Sequence, residues 1–389
     1  MLLVGDFACT TGFATVTQNI ARNLRRLYEI DVLAINHAGD PHPLQKEFRI
    51  FPAGLEGNLF GIDRLPRIVA AGGYDIIFIV NDIWLVDMYL DTLHKSLPAD
   101  KIPPVVFYTP IDAKHIKPGF IEPLNKYATH AILYTEFGRN EVLQAGLTVP
   151  TSVIGHGIDQ ENFHFIPKVL ARKETGINDD WFVVGMVDRN QPRKRLDVGI
   201  YYFAEWVKRT NKPENVKLYY HGALKDQGVD VEDLAQYWGI DDRLIVTSRH
   251  MTMNSMLPLD KLKLVYNSLD VFWKPCASEG WGLTLHEAMA CGIPSIVPRS
   301  SALAEWPDNA VEYVEVIPDL PTVNPGMVNT IMDTPDLNSF ITGMEKLYND
   351  AEYRKALGKK GYKVATRKVF DWKEIAMKFH AVFETVIKS

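Results

Sequence analysis

The most informative stretch of the chain is residues 277–297, where acidic, glycine and apolar residues follow one another at defined spacings. Two glutamates, Glu279 and Glu287, are eight positions apart, and Gly280 and Gly282 closely follow the first. Glycines allow the backbone to approach a ligand and to adopt dihedral angles that other residues disfavour. Carboxylates accept hydrogen bonds from hydroxyl groups. The stretch therefore predicts a site for a polar, hydroxyl-rich ligand.

A helix is predicted to begin near Leu283, and the apolar residues of its inner face are Leu285, Ala288 and Met289. Its first-turn N–H groups have no partner within the helix, and together with the helix dipole they suit a phosphate group. Glu287 lies about one turn into this helix, where it can accept hydrogen bonds from a ribose diol, whereas Glu279 can reach a sugar hydroxyl. Two spaced glutamates alone would more often describe a βαβ turn with a glycine-rich loop and a charged helix face.

Basic residues are concentrated in a second stretch, residues 185–197, between a predicted strand and a predicted helix. Arg189 and Lys194 are cations of this stretch that could meet an anionic ligand. Arg193 and Arg195 lie in the same stretch, and either could instead be a solvated surface residue. Taken alone, a run of basic residues most often describes a solvated surface.

Alternating apolar runs and helical patterns position these residues. Predicted strands of the first half are residues 2–4, 31–35, 74–80, 104–109, 131–134 and 153–157. Those of the second half are residues 181–187, 216–220, 244–246, 271–273, 293–297 and 311–316, and the chain reads as helical from Asp336 onward. A polar stretch at 158–180 is interpreted as a linker. The pattern predicts two α/β domains with parallel sheets facing a cleft, with ligands at the carboxyl ends of the strands.

The bulk composition excludes several classes of protein. The 389 residues carry a formal net charge of −6, so nothing global favours nucleic acid or an anionic membrane. Three widely spaced cysteines argue against a disulfide framework and for a reducing compartment. We find no signal peptide, no apolar run long enough to span a bilayer and no Asp-x-Asp motif for a metal. We therefore expect a cytoplasmic, metal-independent protein whose anionic ligand is met by local cations.

The string Glu-Gly-x-Gly followed by Glu-Ala-x-Ala-x-Gly-x-Pro, from Glu279 to Pro294, resembles the donor-site motif of the retaining glycosyltransferases of family 4 (glycosyl transferases group 1). The basic loop is similar to that family's diphosphate-binding loop, with Arg189 and Lys194 on the Arg and Lys positions. The stretch 153–163 is similar to the interdomain hinge, in which we expect Gly157 to permit a bend and Asp159 to cap a turn.

The resemblance implies a GT-B fold, which is two Rossmann-like parallel-sheet domains facing a cleft, with the C-terminal helix crossing back to the first domain. It implies an acceptor-side domain at 1–160, joined by helix 372–389, and a donor domain at 161–371. The residues implied in catalysis are Arg189, Lys194 and Glu279. The residues implied in binding the donor are Glu287, Gly280, Trp281, Gly282, Leu283, Thr284, Gly12, Tyr108 and Asp112.

The contacts expected from the first half are the weakest part of the resemblance. Gly12 lies in a loop that in the family reaches the donor or the acceptor, although a single glycine also suits a simple turn. Family members often carry a sugar-contacting His where this chain has Tyr108. Tyr108 and the nearby Asp112 are therefore interpreted either as ligand contacts or as a core tyrosine and a capping aspartate.

The reaction implied is hexosyl transfer from a nucleoside-diphosphate sugar, UDP- or GDP-linked, to a hydroxyl acceptor with retention of configuration. In this mechanism the leaving phosphate takes the acceptor's proton, so no general base is assigned. Three alternatives remain at this point. They are a nucleotide-sugar epimerase on the same fold, a donor-binding scaffold without turnover, and a glycosyltransferase acting on nucleic-acid bases, which would require base extrusion and a basic groove. The acceptor and the oligomeric state have no motif in the sequence.

Overall fold

The computed structural model describes residues 1–252, 257–323 and 329–388. The chain forms two compact units, each with its own hydrophobic core. The first unit contains Met1–Gly157 and the segment from Lys368 onward. The second contains residues 158–323 and 331–367. The chain thus passes from the first unit to the second and returns to the first at its C-terminal end.

The first unit is built on a parallel sheet. Its elements in chain order are β1 (Leu2–Asp6), α1 (Gly12–Leu24), β2 (Asp31–Ile35), β3 (Arg49–Pro52), α2 (Leu65–Gly72), β4 (Ile77–Val80), α3 (Ile83–Ser96), β5 (Val105–Thr109), β6 (Lys114–Ile116), α4 (Glu122–Tyr127), β7 (His130–Leu133), α5 (Glu136–Gln144) and β8 (Thr151–Val153). Within the described residues, the strand order is β3-β2-β1-β4-β5-β7-β8. Every neighbouring pair is parallel. The central strands β1, β4 and β5 are completely buried, as expected for apolar runs in a parallel sheet covered on both faces.

The second unit repeats this architecture. Its elements are α6 (Lys168–Thr175), β9 (Phe182–Val187), α7 (Leu196–Arg209), β10 (Val216–His221), α8 (Val231–Tyr237), β11 (Leu244–Val246), α9 (Leu259–Asn267), β12 (Val271–Trp273), α10 (Leu283–Ala290), β13 (Ser295–Pro298), β14 (Glu312–Val314), β15 (Thr322–Val323), β16 (Asn329–Met332, of which Ile331 and Met332 lie in this unit), α11 (Leu337–Asn349) and α12 (Ala351–Ala365). In the described part of this unit the main sheet has the order β11-β10-β9-β12-β13-β14 and is parallel throughout. This order puts β9 next to β12, so the loops after these two strands are neighbours.

The last helix, α13 (Trp372–Lys388), belongs to the first unit and packs against α1. Its apolar residues recur every four positions, as in Ile375, Phe379 and Phe383, which forms one buried face. Phe383 lies 4.9 Å from Phe78 of β4, measured between ring centroids. The expected return of the C-terminal helix to the first half is therefore confirmed.

The two parallel sheets confirm the predicted fold class, and the predicted strands agree with the structure to within a few residues, with one exception. The strand expected at 153–157 was wrong in position, because β8 ends at Val153 and Ile154 follows it outside the strand. The interpretation of 158–180 as a plain linker was also wrong, because α6 lies within it. Its Arg172 is buried and pairs with Asp270 at 2.8 Å, so polar residues that resembled a linker anchor a helix instead.

Candidate functional site

Two neighbouring strands of the second unit end in charged residues. Asp188 directly follows β9, and Lys274 directly follows β12. Because β9 and β12 are paired in parallel, their carboxyl ends lie side by side. The loop from Cys276 to Gly282 then leads into α10, whose first turn starts at the same edge of the sheet. This edge is where ligands of open α/β sheets bind.

Five charged side chains form one connected group at this edge, which we call the ion cluster: Asp188, Arg193, Lys194, Lys274 and Glu279. The ammonium of Lys194 lies 2.8 Å from Asp188 Oδ1 and 2.5 Å from Glu279 Oε1. The ammonium of Lys274 contacts Asp188 Oδ2 and lies 2.8 Å from Glu279 Oε1. Arg193 Nη1 donates to Glu279 Oε2 at 3.1 Å. The cluster contains three cations and two carboxylates, so it presents a local excess of positive charge in a chain of net negative charge.

The ion cluster is largely removed from solvent. Lys194 is 8% exposed, Glu279 4% and Lys274 1%. Burial alone would raise the pKa of Glu279, but the cations of Lys194, Lys274 and Arg193 hold the pKa of this carboxyl well below its usual range. Glu279 is therefore ionised at neutral pH, and both of its oxygens face cations.

The loop before α10 requires glycine at one position. Gly282 has φ +88° and ψ 60°, in the left-handed region, and immediately precedes the helix. Among the described residues no side chain caps this helix end. The backbone at Leu283 and Thr284 thus forms an uncapped first turn, and the Thr284 hydroxyl accepts a hydrogen bond from Lys274 at 3.0 Å. An uncapped first turn beside excess positive charge is suited to a phosphate group.

Trp281 lies in this loop but packs inward. It is 5% exposed and stacks on Trp306 with 5.1 Å between ring centroids. Its indole Nε1 donates to His286 Nδ1 at 3.2 Å, and His286 Nε2 lies 3.0 Å from the carbonyl oxygen of Ala365. These contacts attach α10 to the end of α12. The structure thus gives Trp281 a packing role in shaping the loop.

Glu287 is held by a tyrosine from the neighbouring helix α9. The hydroxyl of Tyr266 donates to Glu287 Oε2 at 2.6 Å. Burial raises the pKa of the Glu287 carboxyl to about 7, although the hydrogen bond from Tyr266 acts in the opposite direction. The carboxyl can therefore donate or accept a hydrogen bond near neutral pH, which suits a partner such as a vicinal diol.

Of the three residues implied in catalysis, Arg189 is the one that lies outside the ion cluster. Its Nε donates to Asp226 Oδ2 at 2.8 Å, and its side chain is 38% exposed. Arg195 likewise turns away, because it pairs with Asp197 and donates to Thr322. The sequence therefore grouped four basic residues, of which the structure joins Lys194 and Arg193 to Glu279.

The predicted residues of the first unit lie at carboxyl ends of its strands. Gly12 is exposed at the start of α1, which Thr11 caps by accepting from the Ala14 N–H at 3.0 Å. Asp112 is partly buried and follows β5. Tyr108 is a core residue in the structure. Its ring is completely buried, and its hydroxyl lies 2.8 Å from both the Ile154 carbonyl oxygen and His156 Nδ1. We therefore leave Tyr108 out of the proposed site.

The hinge residues have local roles. A Cβ atom at Gly157 would lie 2.5 Å from the indole ring of Trp372, so the packing of α13 excludes any side chain there. Asp159 caps a turn, because its Oδ1 accepts from the N–H groups of Glu161 and Asn162 at 3.1 Å each. This confirms the capping role expected for Asp159.

Asp188 and Lys274 were missed by sequence reasoning. A signal was present, since each is a charged residue immediately after an apolar strand of the second unit. Their mutual contact could not be read from the sequence, because 86 positions separate them.

The described part of the chain contains no group of three or more His, Cys, Asp or Glu side chains that could hold a metal ion. Among the helices of the described residues, none combines the length and apolar character needed to cross a membrane. All three cysteines, Cys9, Cys276 and Cys291, are free thiols.

Comparison of sequences identifies relatives that match part of this chain. The chain is 31% identical over 154 residues to a D-inositol 3-phosphate glycosyltransferase of Segniliparus rotundus, which covers 39% of this chain and 32% of that protein. It is 26% identical over 224 residues to a GDP-mannose-dependent alpha-(1-6)-phosphatidylinositol monomannoside mannosyltransferase of Mycolicibacterium smegmatis, covering 54% of this chain and 51% of that protein. The chain thus spans about a third to a half of the length of these curated relatives.

Solved structures match over the whole chain. Sucrose-phosphate synthase from Thermosynechococcus elongatus has a TM-score of 0.75 at 17% identity, with 100% of this chain and 98% of that chain covered. Anabaena HepE, crystallised with UDP-glucose, has a TM-score of 0.72 at 16% identity, with 99% of each chain covered. These similarities show a shared fold, the GT-B arrangement of two Rossmann-like sheets.

A family model described as Glycosyl transferases group 1 matches residues 168–364. The matched region is about half of the 389 residues and contains the basic loop, the ion cluster and α10. The chain therefore belongs to the glycosyl transferases group 1 family.

Proposed function

We propose that this protein is a retaining glycosyltransferase that moves a hexose from a nucleoside-diphosphate sugar to a hydroxyl acceptor. The observation that carries the proposal is the ion cluster beside the uncapped start of α10. A diphosphate needs fixed positive charge and free N–H donors, and both occur at this one edge of the second sheet. The donor half is residues 161–371, and residues 1–160 with helix 372–389 form the acceptor side.

We assign the following roles to the predicted residues that remain in the proposed site. Lys194 and Arg189 bind the diphosphate, and the backbone of residues 280–284 approaches it. Glu287 binds the ribose hydroxyls, because its carboxyl stands about one turn into α10. Glu279 binds a sugar hydroxyl through Oε1, the oxygen that Lys194 releases when the donor enters. Gly12 and Asp112 line the acceptor side in the first unit.

The proposed reaction breaks the bond between the anomeric carbon and the diphosphate oxygen. The acceptor oxygen forms a new bond to the same carbon on the same face, and its proton passes to the leaving diphosphate oxygen. The cations stabilise the charge that accumulates on the leaving group, more strongly in the transition state than in the bound donor. The protein's own contribution is to position the two substrates and to supply this electrostatic stabilisation.

The relatives support a nucleotide-linked donor. The mycobacterial mannosyltransferase is named as GDP-mannose-dependent, and Anabaena HepE was crystallised with UDP-glucose. We therefore propose a UDP- or GDP-linked hexose as donor, used without a metal ion.

The first test is the thermal stabilisation of the purified protein by UDP, GDP, ADP and TDP in the absence of metal. A ligand present at about 100 times its dissociation constant stabilises the folded state by ~2.7 kcal/mol. We expect one diphosphate to raise the melting temperature and Lys194→Ala to abolish the shift. Arg189→Ala should weaken it less, because Arg189 is partly exposed and paired with Asp226.

The matched control is Lys359→Ala, which removes an exposed lysine on α12. This variant should retain the full thermal shift. If none of the four diphosphates stabilises the wild-type protein, the donor-site proposal is wrong. With the nucleotide known, proton NMR of the product shows whether the anomeric configuration is retained, and an inverted product would contradict the retaining mechanism.

A further inference from the structure

Lys274 is a buried cation that none of the roles above uses. Its side chain is 1% exposed, and it lies between β12 and Pro275. A charged group inside a protein is costly unless other charges and hydrogen bonds compensate it. The position of Lys274 within the ion cluster shows how this compensation is achieved.

The Lys274 ammonium has three partners in the site. It contacts Asp188 Oδ2, and it lies 2.8 Å from Glu279 Oε1 and 3.0 Å from Thr284 Oγ1. Lys194, by comparison, has two partners in the described chain, at Asp188 Oδ1 and Glu279 Oε1. Lys274 is therefore the more deeply buried lysine and has the larger set of partners, whereas Lys194 has fewer contacts to exchange when a ligand binds.

Each carboxylate of the ion cluster contacts both lysines. If Lys194 turns to a diphosphate, Asp188 keeps Lys274 and Glu279 keeps Lys274 and Arg193. Without Lys274, Lys194 would be the remaining cation of the cluster in contact with Asp188. Lys194 could then bind a phosphate only by leaving a buried carboxylate without a counter-charge, which is strongly unfavourable.

We propose that Lys274 is a positioning residue, a buried counter-cation that keeps Asp188 and Glu279 neutralised so that Lys194 can exchange its carboxylate partners for the donor diphosphate. This inference rests on the proposed function, since it requires Lys194 to bind the diphosphate. It also explains why the cluster holds one cation more than its two carboxylates require.

The test compares Lys274→Met with the double variant Asp188→Asn/Lys274→Met. UDP (or the diphosphate selected by the panel above) is titrated into each protein by calorimetry, and folding is followed by urea unfolding. We expect Lys274→Met to weaken UDP binding by about tenfold or more, because Lys194 remains held by Asp188. The double variant removes that carboxylate as well, so its affinity should return to within about threefold of the wild type.

A purely structural role predicts a different pattern. In that case Lys274→Met lowers the stability without changing the affinity of the folded protein, or the double variant binds UDP as weakly as the single one. Either result overturns the proposal. Lys261→Met, at an exposed position on α9, is the matched control and should bind as the wild type does.

Loss of folding is also informative. If Lys274→Met does not fold, the double variant still tests the proposal, because it removes one anion together with one cation. If neither Lys274→Met nor the double variant folds, Lys274 is required for folding itself, and this overturns the positioning role. Failure of the wild type to bind any of the four diphosphates would reject the proposed function along with the inference. Binding that is lost in Lys194→Ala but kept in Lys274→Met would reject the inference alone.

Discussion

At the scale of single residues, Glu287 connects protonation to ligand binding. Burial raises the pKa of its carboxyl from an ordinary value of 4.5 to about 7. A carboxyl whose pKa is raised in the folded state binds its proton more tightly there, so its contribution to stability is present below pH 4.5 and is lost as the pH rises through 7. The side chain thus makes folding less favourable at the pH where it would bind a ribose as a carboxylate.

We therefore predict that Glu287→Gln gains stability relative to the wild type as the pH rises from 5 to 8, because the amide does not ionise. Urea unfolding of both proteins across this range measures the difference. Glu352→Gln, at an exposed position on α12, serves as the control and should follow the wild type. A constant difference between wild type and Glu287→Gln over this range would contradict the prediction.

The adjacent residue, His286, has the opposite dependence. Burial lowers the pKa of its completely buried imidazole from 6.5 to about 4. A histidine that is neutral in the folded state contributes stability above pH 6.5, and this contribution is lost as the pH falls through 4. The imidazole accepts from Trp281 and faces the Ala365 carbonyl, an arrangement that a charged ring would disrupt.

We predict that His286→Asn is destabilised most at pH 7 and that its deficit relative to the wild type shrinks by about 3 kcal/mol or less by pH 4. Chemical unfolding at several pH values in this interval measures the change. His250→Asn, at an exposed position after β11, is the control, and its stability should follow that of the wild type across this pH range. If the His286→Asn deficit stays the same at every pH, the neutral buried imidazole is the wrong description.

At the scale of elements, the start of α10 depends on Gly282. Its φ of +88° is unfavourable for residues with a side chain, and a Cβ atom there would lie 2.9 Å from Leu303 Cδ2. Gly282→Ala should therefore lose at least ~1–2 kcal/mol of stability. It should also weaken nucleotide binding, because the first turn of α10 would shift relative to the ion cluster.

Gly146→Ala separates these two effects. Gly146 has a φ of +97°, but nothing lies within 4 Å of a Cβ atom placed there, and it belongs to the first unit. This variant should lose stability through backbone strain while retaining nucleotide affinity in calorimetric titrations. Equal affinity in Gly282→Ala and Gly146→Ala would show that the orientation of α10 does not control binding.

The strands and helices also show which elements the sequence patterns predicted and which they did not. The apolar runs predicted the buried strands of both sheets because parallel strands covered on both faces need continuous apolar character. The patterns failed at α6, where a short polar helix buries Arg172 against Asp270. A buried ion pair between residues far apart in sequence produces no local periodicity, so no window along the chain could reveal it.

At the scale of the whole molecule, α13 completes the first unit although it follows the second in sequence. Phe379 lies 5.5 Å from Phe78 and 4.9 Å from Tyr108, measured between ring centroids. Truncation after residue 371 removes Phe379 and would expose the rings of Phe78 and Tyr108 in the first unit. Losing the burial of a large aromatic side chain costs about 3–5 kcal/mol.

We predict that the protein truncated after residue 371 loses the folded first unit, because losing both Phe379 and Phe383 costs roughly 6–10 kcal/mol, which is comparable with the ~5–15 kcal/mol stability of a typical domain. The second unit, which contains Lys194, Glu279 and Glu287, should still bind the nucleotide. Hydrogen exchange resolved by peptide measures protection in each unit, and calorimetry measures nucleotide affinity. Ala substitution of the exposed Met377 on α13 is the control and should leave both properties unchanged. Full protection of the first unit after truncation would refute the prediction.

The sequence by itself determined the two α/β halves and the motif from Glu279 to Pro294, because apolar periodicity and glycine spacing are local properties of a chain, whereas the return of the final helix was expected from the family resemblance. It also determined the family, through a string of residues long enough to be specific. Only the tertiary structure decided that Lys274 and Asp188 join Lys194 and Glu279, that Arg189 pairs with Asp226 instead, and that Tyr108 lies in the core. These contacts join residues brought together by strand order, and the order of strands in a sheet is set by the packing of the whole unit.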